Sequence, residues 1–212
     1  VRQVGDIGRM VDEFSAFARM PEAAPTMADL SDTIRQAVFL ESVRLPEIDI
    51  STDLPDEPIY AYFDTRLISQ CLTNLIKNSV EAFESIEISS LAHPRISVQA
   101  AIEGQFARIA VSDNGKGWPK ENRLRLLEPY MTTREKGTGL GLAIVTKIVE
   151  QHGGQIELLD SDPDESGRVG ATFAFTLPLH SSTNTTGAHA GNNRSSQPGL
   201  QEEPLIQAAV RN

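Results

Sequence analysis

Asn74 and Asn78 stand four residues apart in the segment NLIKNSVEA, residues 74–82, a spacing that stacks them on one face of a helix. Asparagine is a poor helix-interior residue, because its amide competes for backbone hydrogen bonds. Two of them in successive turns read either as a solvated polar face or as carboxamide oxygens held towards a ligand or a hard cation such as Mg²⁺, which takes oxygen donors and keeps several waters. A second candidate is Asp113, where the alternating ARIAVS of 107–112 runs into DNGKG at 113–117. Asn114-Gly115 is a common hairpin dipeptide, yet Trp118-Pro119 and a polar, helix-prone run follow it instead of a return strand. Gly115 and Gly117 would let a flat ligand lie against bare backbone while the Asp113 carboxylate reads its edge. The third candidate is KGTGLGLAIVTKIVEQHGG, residues 136–154, in which Gly137, Gly139 and Gly141 open onto an apolar helix. Backbone N–H groups and the positive dipole end at such a helix mouth cradle phosphate. The spacing GxGxG is neither the dinucleotide GxGxxG nor a Walker A loop closed by Gly-Lys-Ser/Thr.

These groups need rigid elements to hold them. Leu67, Ile68, Cys71, Leu72, Leu75, Ile76, Val80 and Phe83 form a helix-period stripe, with Gln70, Asn74, Lys77, Asn78 and Glu81 on the other face. The pattern along the chain predicts helix over 28–44, strands near 48–52 and 58–62, helix 64–84, and strands 95–101 and 106–112. A variable lid at 116–136, helix 138–151, and strands near 154–159 and 169–177 complete it. His152 before Gly153-Gly154 reads as the stop of the third helix, with a structural role. Cys71 lies on the apolar stripe and reads as a buried thiol.

Three regions are expected. In residues 1–25, Ile7, Met10, Phe14 and Phe17 follow the a/d rhythm of a helix–helix seam, and Pro21 to Pro25 read as a linker; a surface helix packed on its own domain is the alternative. Residues 26–178 form a globular α/β domain. Residues 179–212 are rich in Ser, Thr, Asn, Gly and Gln and should not pack. No apolar run approaches the ~18 residues needed to span a bilayer. The net charge of −10 argues against nucleic acid as a partner, and it requires local groups such as Lys77, Arg134 and Lys136 to meet any anionic ligand. The chain opens on Val1 inside what reads as a helix already under way, as an excised piece of a longer protein would.

The order NLIKN, DNGKG, LLEPYMTT, GTGLGLA and GRVGATFAFTLP resembles the catalytic ATP-binding domain of sensor histidine kinases, of the superfamily that includes the gyrase, Hsp90 and mismatch-repair ATPases. Asp113 follows Asn78 by 35 residues and Gly137 follows Asp113 by 24, which fits that family. The match runs over about 26–178, and DIGRMVDEFSAFARMP with Asn-x-x-x-Asn-Ser-x-Glu-Ala looks most like the nitrogen-regulation kinases of the NtrY and NtrB kind. The resemblance implies a two-layer sandwich of a mixed β-sheet and helices, preceded by a helical stub that ends a dimerisation and phosphoacceptor bundle. It implies ATP and Mg²⁺ as cofactors, with Asn78 as metal ligand and Asn74 near the phosphates or the metal's water shell. Asp113 would accept from the adenine amino group, with room made by Gly115 and Gly117. Gly137, Thr138, Gly139, Leu140 and Gly141 would wrap the triphosphate beside Lys77, Arg134 and Lys136. Thr172 resembles the strand threonine that backs Asp113, although an ordinary β-prone residue reads equally well there.

The implied partners are the kinase's own phosphoacceptor bundle, in a homodimer, and a response regulator; the implied setting is the cytoplasmic portion of a membrane-anchored sensor. In the related ATPases the place of Asn74 holds a glutamate acting as general base. An amide cannot accept a proton near neutral pH, so this site should hydrolyse ATP poorly and keep the γ-phosphoryl for another acceptor. The family's aromatic box before the glycine loop is here LLEPYMTT, in which Tyr130 and Met131 are the residues available to fill it. The acceptor pattern, His followed by an acidic residue with Asn/Thr-Pro soon after, surrounds none of His93, His152, His180 or His189. A self-contained hydrolase and a nucleotide-sensing module that transfers nothing are the readings of other classes.

Overall fold

A computed structural model of the chain describes residues 14–15, 17–83, 93–132, 137–163, 167 and 169–180. Among these, the elements run β1 (Thr26–Asp29), α1 (Leu30–Arg44), β2 (Asp49–Asp53), β3 (Tyr60–Phe63), α2 (Thr65–Phe83), β4 (Arg95–Glu103), β5 (Phe106–Asp113), α3 (Gly141–Gln151), β6 (Ile156–Asp160) and β7 (Ala171–Pro178). Five strands form one sheet in the order β2-β4-β5-β7-β6. β2 lies parallel to β4 and the other neighbours are antiparallel, so the sheet is mixed. Period-two alternation sorts its side chains by face. Ile96, Val98, Ala107, Ile109, Val111, Leu158, Phe173, Phe175 and Leu177 turn towards the helices, and Ser97, Gln99, Arg108, Ser112, Thr172 and Thr176 turn away. The apolar stripe of α2 meets the first set, with Ile68, Leu72 and Ile76 fully buried. Cys71 is enclosed in the same core, and burial pushes its thiol far up, which leaves it inert.

One short element escaped the sequence pattern. Residues 26–29 are strand β1, paired antiparallel with β3 from Thr26 opposite Phe63 to Asp29 opposite Tyr60, so the first helix starts at Leu30 and not at 28. Asp29 ends the strand and caps the helix, its Oδ1 accepting from the Asp32 N–H at 3.1 Å. The stub also behaves differently from a free seam. Phe17 and Met20 pack on the chain's own core, with Lys147 Nζ 5.3 Å above the Phe17 ring, while Phe14 faces out. Ile7, Met10 and the tail from 181 onward lie outside the described residues.

Asp64 and His152 fasten the linker and two helices together. Asp64 sits just before α2; its Oδ1 accepts from the N–H groups of Arg66 at 3.0 Å and Leu67 at 3.4 Å. Its Oδ2 accepts from the Ala24 N–H in the linker at 3.1 Å and from Arg66 Nη2 at 2.9 Å. The Asp64 N–H donates to His152 Nε2 at 2.9 Å, and His152 Nδ1 lies 2.7 Å from the Ile148 carbonyl, so the buried ring is a structural pin at the end of α3. Burial pushes the Asp64 carboxyl up, but the Arg66 guanidinium and the N–H groups of Ala24, Leu67 and Arg66 outweigh it and hold it at about 2. A carboxyl depressed in the folded state contributes stability that is complete above its unfolded value, 3.8, and lost as pH falls towards 2. Denaturant unfolding at stepped pH should show an acid limb of roughly 2 kcal/mol from this group, absent in Asp64→Asn.

Candidate nucleotide site

Asp113 closes β5 on the face marked by Ile109 and Val111, so its carboxylate points at the helix layer and is only 7% exposed. Its Oδ1 accepts from the N–H groups of Gly115 at 2.8 Å and Ala171 at 3.4 Å, and the Ser79 hydroxyl of α2 donates to the same carboxylate. Burial pushes its pKa up, and the donors Gly115, Ser79 and Ala171 pull against that without cancelling it. Asn114 does not make a hairpin. Its Oδ1 accepts from the Arg95 N–H at 2.8 Å and its Nδ2 donates to the His93 carbonyl at 2.9 Å, tying the end of β5 to the start of β4. Gly115 has to be bare, because a Cβ there would stand 2.9 Å from both the Ala82 Cβ and Asp113 Oδ1. Gly117 approaches the backbone of Val169 as closely, where a Cβ would lie 2.7 Å from the carbonyl oxygen.

The glycine segment meets α2 at Asn78. Gly141 is the first residue of α3, and a Cβ on it would sit 3.4 Å from Asn78 Oδ1 and 3.6 Å from Nδ2. The N-terminus of α3, with its unsatisfied N–H groups, therefore faces a carboxamide across a gap that a single methyl group would fill. Asn74 is half-buried one turn earlier on α2, whereas Lys77 is exposed beside it. Gly137, Thr138 and Gly139 are half-buried, and Thr138 Oγ1 accepts from the Leu140 N–H at 3.3 Å. Leu140 itself is 2% exposed, so its side chain belongs to the core and only its backbone borders the loop. Arg134 and Lys136 lie outside the described residues.

Three expectations about this region need correction. Thr172 does not back Asp113: it pairs in register with Ser112, whose Oγ is 2.8 Å from Thr172 Oγ1, and strand alternation puts that pair on the opposite face from the Asp113 carboxylate. Tyr130 does not fill an aromatic box. It is 58% exposed at φ 66°, its N–H donating to the carbonyl of Gly139, itself at φ 69°. Trp118 and Leu127 pack on the core instead. Nor is the whole of 116–136 a variable lid. Trp118 Nε1 donates to the Leu159 carbonyl at 2.7 Å, and Arg123 pairs with Asp160 at 3.3 Å, so the first half of the segment is fastened to β6. The two left-handed residues Tyr130 and Gly139 bracket the second half. Hydrogen exchange with and without nucleotide should gain protection after residue 128 and not at 117–127; equal gains in both halves would contradict this division.

Ser79, Ala171, Asn114 and Trp118 escaped the sequence reading as site residues. The signal for Ser79 was present: Ser79 and Ala82 are small residues three apart on a helix otherwise faced with large ones, the mark of close approach by another backbone. Ala171 contributes an N–H, which any residue but proline supplies, so its type carried no signal.

Among the described residues, a mixed sheet with helices on one face thus carries a carboxylate at a strand end and a glycine-lined helix mouth opposed to an asparagine. The chain belongs to the histidine kinase-, DNA gyrase B- and HSP90-like ATPases, whose sequence profile matches residues 63–181, more than half of its length. Within that family it is homologous to the ATP-binding catalytic domains of sensor histidine kinases. It is 54% identical over 177 residues to the nitrogen regulation protein NtrY of Azorhizobium caulinodans, a match covering 84% of this chain and 22% of that protein. Among solved structures it resembles full-length ShkA in complex with AMPPNP, with 29% identity and a TM-score of 0.67 over 84% of this chain and 37% of the other. It also resembles the nucleotide-free catalytic domain of the histidine kinase ThkA, with 28% identity and a TM-score of 0.60 over 74% of this chain and 96% of the other. The chain spans about a quarter of the length of the first curated relatives it matches, at 22% and 28%. No helix among the described residues is long and apolar enough to cross a membrane.

Proposed function

We propose that this chain binds Mg²⁺-ATP between α2 and the glycine segment and donates the γ-phosphoryl group to a histidine on a separate helical bundle, for passage to a response regulator. The observation that carries the proposal is the meeting of Gly141 with Asn78, where a helix N-terminus suited to phosphate opposes an amide oxygen suited to a hard cation. The donor set fits such a cation arriving with its nucleotide. Among the described residues no cluster of three or more His, Cys, Asp or Glu side chains would hold a metal by itself, and Mg²⁺ is commonly bound through substrate phosphates, waters and one or two protein oxygens. When bound, the ion supplies neutralisation of phosphate charge.

The chain's own residues do the rest. Asp113 accepts from the adenine amino group, Gly115 and Gly117 let the loop after it close on Ala82 and Val169, and the N–H groups of 137–141 hold the phosphates. Lys77 is exposed one residue before Asn78, and Arg134 and Lys136 precede the glycine segment, where they are candidates to meet the γ-phosphate. Phosphoryl transfer asks chiefly for positioning and charge neutralisation. Asn74 offers no base for water, which favours transfer over the hydrolysis of a self-contained ATPase. A bundle dimer in the whole kinase and a cytoplasmic setting are parts of the same proposal, supported by the likeness to NtrY. The test is the fate of labelled γ-phosphate: it should pass to a supplied bundle and not leave as phosphate over many turnovers.

A further inference from the structure

We propose that the outward face of α1 is a docking surface for a segment of the chain's own C-terminal part, residues 204–211, which lies outside the described residues. The inner face of α1 buries Ile34, Ala37 and Val38 in the core, yet Phe39, Leu40 and Val43 on its other side are 66%, 63% and 65% exposed. Single exposed apolar residues are ordinary. Three of them at i, i+1 and i+4 on one helix face make a contiguous strip, the kind of surface that another element covers. Residues 181–199 hold no Leu, Ile, Val, Met or aromatic side chain with which to cover it, but QEEPLIQAAVRN follows at 201–212. Glu202 and Glu203 before Pro204, with Arg211 at the far end, are the sequence signals of a short helix. On such a helix Leu205, Ile206, Ala209 and Val210 share one face, the counterpart of the strip on α1. A helix of that length is marginal in isolation and gains its order from the surface it meets.

The intervening chain has the reach. β7 stands three places from β2 in the sheet, and α1 packs over β2. The strip therefore lies roughly 14 Å sideways from β7 and roughly 15 Å above the sheet. The 24 residues 181–204, rich in Ser, Gly and Asn, have an r.m.s. span of roughly 27 Å. A linker whose span matches the separation presents its end at an effective concentration on the order of 1 mM, so a contact of only millimolar intrinsic affinity is enough.

The test reads the methyl resonances of Leu40 and Val43 by NMR in the full chain and in a chain ending at Gly199. They should differ between the two, and the difference should persist on dilution, because the segment is tethered. Ile206→Asp in the full chain should reproduce the spectrum of the shortened one, and that position lies outside the residues that form the core. A synthetic peptide of residues 200–212 added to the shortened chain should restore the shifts with half-saturation on the order of 1 mM, and Leu40→Asp should abolish that response at Val43. Identical spectra for the full and shortened chains would overturn the inference, as would an Ile206→Asp chain that keeps the full-chain spectrum. A difference that fades on dilution would make a second copy the occupant and count equally against it. So would a shortened chain that does not respond to the peptide at several times that concentration.

Discussion

Asn78→Ala should leave the fold intact and slow phosphoryl transfer to a supplied histidine-bearing bundle by roughly a hundredfold or more, the scale on which loss of one charge-stabilising group acts in such sites. The side chain faces the mouth of α3 and not the core, so its removal opens space beside Gly141 without touching Leu75, Ile76 or the stripe that stabilises α2. ATP affinity should lose most of its dependence on Mg²⁺, because the protein oxygen that distinguishes the metal complex from the bare nucleotide is gone. Preference for adenine should survive, since Asp113 and its three donors are untouched. A variant that still transfers at the original rate would remove Asn78 from the chemistry.

Asp113→Asn addresses the other end of the nucleotide. The substitution is close to isosteric, and the Oδ1 contacts of Gly115 and Ala171 can persist on an amide oxygen. The remaining atom becomes an N–H₂ group, which faces the donor of Ser79 or of adenine and leaves a buried polar group poorly paired. Losses of that type amount to about 1–3 kcal/mol, so calorimetry should find ATP bound roughly tenfold or more weakly by a protein of normal secondary structure. Unchanged affinity would show that the carboxylate does not read the base.

How much of this was visible in the sequence depended on the range of the forces involved. The α2 stripe, the alternation of β5 and the glycines before α3 are local patterns, and each gave its element nearly in place. β1 was missed because four residues between Pro25 and a helix cap show no period; its existence depends on pairing with β3. The assignment of Thr172 failed for a different reason. Strand membership was right, but the face it turns to is set by register with Ser112, and a one-residue difference in register sends a side chain to the other side of the sheet. Nothing local in the variable segment 116–136 marks its first half as anchored, because Trp118 and Arg123 reach β6 through partners 41 and 35 residues away in sequence. Ser79 lay in plain view beside Asn78, and its meaning waited on where Asp113 would come.

Transfer of labelled γ-phosphate is the most direct test of the whole reading. The chain should be incubated with Mg²⁺ and γ-labelled ATP, alone and then with a separate helical bundle carrying the acceptor histidine of its kinase. Alone, it should bind nucleotide, acquire no stable label and release little phosphate, because Asn74 supplies no base and none of its four histidines has the acceptor context. With the bundle present, label should appear on the bundle, slowly, because the two parts meet by diffusion and not at the effective concentration a covalent link provides. Stable label on this chain itself, or phosphate release over many turnovers without a bundle, would contradict the assignment of a phosphoryl donor and favour a self-contained ATPase.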